Sequence, residues 1–103
     1  MDILVRIKRA VLSGNVAFSV KARLELQIDG LTRQDAREAI LNARSIYKTI
    51  RSRSPARSNA REKLYIIIGR NLDGMPVYTK GKLTRTEDGQ DVFYFLISSK
   101  RAI

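Results

Sequence analysis

A chain of 103 residues with 44% apolar content can build one hydrophobic core and little more, and its composition is that of a folded protein. Cysteine and histidine are both absent, which excludes a disulfide framework, a thiolate or imidazole zinc site and a Ser-His-Asp hydrolase. Twenty Lys and Arg against ten Asp and Glu leave a net charge of +10, a surplus that favours a polyanionic partner, nucleic acid before anionic membrane.

The first residues, Met1 to Arg9, mix charge with aliphatics and hold no signal-peptide core. No apolar run approaches the roughly 20 residues that cross a bilayer. The expectation is a cytoplasmic protein with no membrane association. Asp2 can cap a helix whose apolar positions Ile3, Leu4, Ile7 and Val11 follow a 3.6-residue period, and Gly14-Asn15 ends it. Ser19 offers a second cap, for a short helix through Leu26 with Ala22 and Leu26 facing inward. Gly30 interrupts the chain again. Thr32, with Asp35 three residues on, resembles a capping box, and the helix it opens carries Ala36, Ala39, Ile40 and Ala43 on one face.

Residues 46–50 alternate like a short strand. The stretch from Arg51 to Arg61 holds four arginines, three serines and one proline, the composition of a long mobile loop. Leu64–Ile68 is a β-branched apolar run suited to a central strand. Turns at 71–74 and 86–89 then separate two further strands, Met75–Thr84 and Asp91–Ser98. Helices followed by consecutive strands predict a single α+β domain over 1–103, with N-terminal helices (about 2–44) packed on one face of a C-terminal antiparallel β-sheet (about 63–99) and a basic loop (about 51–62) between.

Chemistry concentrates on one strand. Alternation sends Met75, Val77, Thr79 and Leu83 one way and Tyr78, Lys80 and Lys82 the other. A basic face headed by an aromatic suits single-stranded RNA, with lysines on phosphates and tyrosine stacking on a base. The plain alternative is a solvated edge strand whose lysines discourage aggregation. Lys100 and Arg101 follow the last strand. A pairing whose residue numbers sum to an even value near 176 brings Lys100 onto the face of Tyr78, and an odd sum sends it to the other face. Tyr47 reads as packed beneath the helices, with Lys48 solvated or meeting phosphate. Arg51, Arg53 and Arg57 would grip the RNA backbone.

RNA cleavage without histidine needs a base for a 2′-hydroxyl, cations for the transition state and an acid for the leaving 5′-oxygen. A cluster of cations would lower the pKa of Tyr78 and make it a better base, and Glu62 is a carboxylate that could serve instead. No cofactor or metal is called for.

Four segments, in order, resemble the MqsR toxins of the RelE-like superfamily of bacterial mRNA interferases. They are Ser13-Gly-Asn-Val-Ala-Phe-Ser-Val-Lys-Ala22, Ile46-Tyr-Lys-Thr-Ile-Arg-Ser52, Val77-Tyr-Thr-Lys80 and Leu96-Ile-Ser-Ser-Lys100. The resemblance implies a RelE/MqsR-like fold, Lys48 as a phosphate contact, Tyr78 as acid/base or stacking group, and Lys100 as the transition-state cation. Glu62, in Arg61-Glu-Lys-Leu-Tyr65, stands where the family carries glutamine, and the arginine loop before it is longer than the family's. The helix pair and Leu64–Gly74 also resemble the DUF4258 domains, whose activity is unsettled.

Together these readings lead to the toxin of a type II toxin–antitoxin system: a metal-independent endoribonuclease, acting on mRNA on or off the ribosome and held by a cognate antitoxin. The catalytic set is Lys48, Glu62, Tyr78 and Lys100. The RNA-binding set is Arg51, Arg53, Arg57, Lys80, Lys82 and Arg101. Two other classes fit the charge: a non-catalytic RNA- or DNA-binding regulatory module, and an assembly protein that binds an acidic protein.

Overall fold

The computed structural model describes residues 2–53, 62–85, 88–89 and 92–103. Each of the three helices among these residues starts where a short polar side chain satisfies an otherwise unpaired N–H group. Asp2 accepts from the Leu4 N–H at the head of α1 (Ile3–Leu12), and Ser19 accepts from Ala22 N–H at the head of α2 (Val20–Ile28). Thr32 and Asp35 form a reciprocal capping box on α3 (Arg33–Asn42). The expected inward positions are buried, Leu4, Ile7 and Val11 on α1, Ala22 and Leu26 on α2, Ala36, Ala39 and Ile40 on α3, and Ala43 beyond its end, except Ile3, which is only partly buried.

The strands are β1 (Val16–Phe18), β2 (Lys48–Arg51), β3 (Lys63–Arg70), β4 (Pro76–Arg85) and β5 (Val92–Arg101), in the spatial order β1-β5-β4-β3-β2. The fold is α+β, with the sheet mixed rather than purely antiparallel. β1 pairs parallel to β5, with Val16 opposite Tyr94 and Phe18 opposite Leu96. Three residues between a helix end and a helix cap carry too little alternation to read as a strand. They are held there because Tyr94 N–H donates to Asn15 O and Ser19 N–H to Leu96 O. β5 also runs three residues beyond the expected Ser98, to Arg101.

α1 and α3 cover one face of the sheet, and α2 packs beside them at its β5 edge. α1 and the end of α3 bury Ile67, Tyr94 and Leu96; Leu26, Leu31, Ala36 and Ala39 bury Val77. The alanines of α3 allow its backbone to approach β3 so closely that a Cβ on Gly69 would collide with the Ala39 carbonyl oxygen. α2 lies along the part of β5 that β1 leaves uncovered. Its carboxylates, one helical turn apart, replace a neighbouring strand: Glu25 Oε1 accepts from Ser99 N–H (3.2 Å) and Asp29 Oδ2 from Arg101 N–H (2.8 Å). No helix among the described residues is long and apolar enough to cross a membrane.

Candidate nucleic-acid interface

The side chains that alternate away from the helices form the opposite, open face of the sheet. Two rows cross it. In one, Lys48 of β2 lies opposite Ile66 of β3, Ile66 opposite Lys80 of β4, and Lys80 opposite Ser98 of β5. In the next, Ile68 lies opposite Tyr78, and Tyr78 opposite Lys100. The register sum of Tyr78 and Lys100 is even, as their sharing a face requires, and it places them directly opposite each other, two residues beyond the pairing of Tyr78 with Ser98 that a sum of 176 would give. A bulge at Lys80/Gly81 leaves Ile97 without a partner on β4 and turns the odd sum of Gly81 with Leu96 into the even sum of Lys80 with Ser98, which carries Lys100 onto the face of Tyr78. Gly81 is needed there, because a Cβ would come within 2.7 Å of both the Tyr94 ring and the Phe95 carbonyl oxygen.

The Lys100 ammonium sits 5.3 Å from the centroid of the Tyr78 ring, a cation–π distance. Beside them the Ser98 hydroxyl donates to Glu25 Oε1 at 2.7 Å, bringing a carboxylate from α2 to the margin of the same face. Burial first, and the negative charge of Glu25 second, hold the Tyr78 phenol above its ordinary pKa. This reverses the expectation that surrounding cations would favour phenolate. Tyr78 is protonated at neutral pH and is suited to donate a proton or stack, not to act as the base.

Toward the other end of the face, Lys82 Nζ and Glu62 Oε1 form an ion pair at 3.1 Å with both side chains largely buried. The pair borders a concavity of about 430 Å³ that also meets Arg53, Lys80, Phe95 and Ile97. Cations, a carboxylate and an aromatic edge thus share one hollow, which suits a phosphate with its adjoining base. A neighbouring depression of about 540 Å³ meets Ile50, Arg51, Arg53 and Lys80.

The expected residues therefore divide. Lys48, Tyr78, Lys80, Lys82 and Lys100 share the open face, and Glu62 and Arg53 lie at its hollow. Arg51 pairs with Lys63, out of step with Lys48 and Ile50, but lies at the rim. Arg101 pairs with buried Val77, so alternation directs it to the helix side, away from Tyr78. Arg57 and most of the arginine loop lie outside the described residues. Tyr47, expected beneath the helices, is exposed. Glu25 and Ser98 were not anticipated. The only sequence signal was the four-residue spacing of Glu25 and Asp29, which on most helices marks a solvated face.

Among the described residues, no three Asp or Glu side chains gather closely enough to hold a metal ion. Compared with protein families, curated proteins and solved structures, the chain matches none.

Proposed function

We propose that the open sheet face binds single-stranded RNA and cleaves it, making the protein a metal-independent endoribonuclease of the toxin class, with mRNA as substrate and an acidic antitoxin as the partner that restrains it. The observation that carries this reading is the direct opposition of Tyr78 and Lys100, ring beneath ammonium, next to Lys80 and a carboxylate-bound serine. A solvated edge strand gains nothing from such an arrangement, and Tyr78 is on an interior strand whose two neighbours are β3 and β5. The four-segment resemblance to MqsR and RelE-like toxins supports the same assignment for Lys48, Tyr78 and Lys100.

In the chemistry so proposed, Lys100 and Lys80 neutralise charge that builds on the phosphoryl oxygens during attack by the 2′-hydroxyl. Protonated Tyr78 gives its proton to the departing 5′-oxygen, whose conjugate acid is far weaker than a phenol. Lys48, further along the row, contacts a neighbouring phosphate, and Phe95 and Arg53 accommodate the adjoining nucleotide. The second reading, an RNA-binding module without catalysis, is favoured by one observation: Glu62, the carboxylate expected to act as base, is engaged with Lys82.

The test is incubation of purified protein with a structured mRNA in EDTA, free in solution and on translating ribosomes, with mapping of new ends. Discrete cleavage by wild type and none by Tyr78→Phe supports the endoribonuclease. RNA binding without cleavage in both settings supports the module. Expression without an antitoxin arrests growth under the first reading only.

A further inference from the structure

Resting on that reading, we infer that Glu25 of α2 is the general base of the cleavage, the role for which Glu62 was the candidate. Glu62 is drawn toward Lys82 at the far end of the face. Glu25 instead reaches the row of Lys80 and Ser98, beside the row of Tyr78 and Lys100. Its Oε1 is fixed from two directions, by Ser98 Oγ–H at 2.7 Å and Ser99 N–H at 3.2 Å. Its Oε2 makes no hydrogen bond among the described residues, and the side chain is only half-buried, so one carboxylate oxygen remains available to an incoming hydroxyl. The serine that aims it lies opposite Lys80, two residues along each strand from Tyr78 and Lys100. Base, acid and cations thus meet at the end of β5. The raised pKa of Tyr78, in which Glu25 takes part, fits a division of labour in which the phenol keeps its proton for the leaving oxygen.

The step balances without a co-reactant. Glu25 Oε2 takes the 2′-hydroxyl proton as the 2′-oxygen forms its bond to phosphorus. The bond from phosphorus to the 5′-oxygen breaks, and that oxygen receives the Tyr78 proton. The products are a 2′,3′-cyclic phosphate and a 5′-hydroxyl end, leaving a protonated Glu25 and a Tyr78 phenolate that exchange with solvent.

Asp29 supplies an internal control, because it caps the same strand edge through Arg101 N–H but lies on the turn beyond the site. Single-turnover cleavage of an RNA oligonucleotide in EDTA is compared for wild type, Glu25→Gln and Asp29→Asn, with melting and RNA affinity measured for each. The amide oxygen of glutamine keeps the acceptor for Ser98 and Ser99 and removes the base. Glu25→Gln is expected to slow cleavage by about 100- to 10,000-fold with RNA binding retained, while Asp29→Asn cleaves near the wild-type rate. A substrate with sulfur in place of the scissile 5′-oxygen separates the roles, because a thiolate leaves without a proton. Sulfur restores Tyr78→Phe and leaves Glu25→Gln slow.

Cleavage by Glu25→Gln at the wild-type rate, equal losses in the two carboxamide variants, or rescue of Glu25→Gln by sulfur overturns the assignment and leaves the endoribonuclease standing. Failure of wild type to cleave, free or on ribosomes, overturns both. If Glu25→Gln does not melt cooperatively, Ser98→Ala takes its place, since it frees the carboxylate while leaving it present. A slowing of at least tenfold is then expected, and an unchanged rate rejects the assignment.

Discussion

On the helix-covered side of the sheet, Ile67, Val77, Tyr94 and Leu96 are completely buried. On the other face of β4 and β5, Tyr78 and Lys80 are partly open and Lys100 is exposed. The covered side gains its stability from apolar area withdrawn from water and from backbone approaches too close for any Cβ. The open side gathers five cationic or phenolic side chains from three strands, a grouping that repels itself and adds little to folding. Stability and function are thus separated by the pleat of β4, and on β5 by the bulge at Ile97 as well. Substitutions one residue apart should therefore damage different properties.

The largest expected effect is on the open side. Tyr78→Phe removes the phenolic proton and no hydrogen bond made within the described residues. It should reduce RNA cleavage by roughly 100- to 10,000-fold while shifting stability by no more than about 0.5 kcal/mol. Cleavage rates paired with urea melts check this. A destabilisation of several kcal/mol would show that Tyr78 belongs to the structural side after all. Its opposite is Ile67→Ala on β3, which leaves a cavity between α1, α3 and Tyr94 and should cost about 2–5 kcal/mol. RNA affinity of the fraction still folded should be unchanged.

The covered side was the more legible of the two. Helix caps at Asp2, Ser19 and Thr32, and the inward Leu, Ile and Ala positions, follow from local hydrogen bonding and periodicity, which neighbouring residues determine. The basic face of Tyr78, Lys80 and Lys82 follows equally from alternation. Its completion by Lys100 did not, because parity depends on a register that a bulge at Lys80/Gly81 displaces. β1 was hidden because three residues have no period of their own and pair only with a strand about 78 residues away. Glu25 was hidden for a related reason: its role comes from where α2 lies against β5, a tertiary fact with no local signature.

Gly69→Ala sharpens the comparison from the packing side. Gly69 faces the helices, so the added methyl has to displace the α3 backbone rather than a flexible side chain, at a cost of about 1–3 kcal/mol by thermal melting. Lys80→Ala is the milder counterpart on the open face. If Lys80 meets one phosphate, the slope of log affinity against log salt should fall by about 0.7, and binding should weaken evenly across RNA sequences. An unchanged slope would remove Lys80 from the RNA path.

The smallest effect expected concerns the joint between the two sides. Asp35 Oδ2 accepts from the Thr32 N–H and hydroxyl, while its Oδ1 accepts from Asn71 Nδ2, in the turn from which β4 departs toward Tyr78. The backbone hydrogen bond from Thr32 is the main cause that holds the Asp35 carboxyl below its usual pKa of 3.8, outweighing a smaller upward push from desolvation. Because the folded value is the lower one, the stability this contributes is fully present above the unfolded value near 3.8. It is lost as pH falls through the depressed folded value. Asp35→Asn should therefore melt below wild type at neutral pH, with the gap closing as both are acidified past that range. A gap independent of pH would mean that the carboxylate charge is immaterial, and that the cap holds the turn through its hydrogen-bond geometry alone.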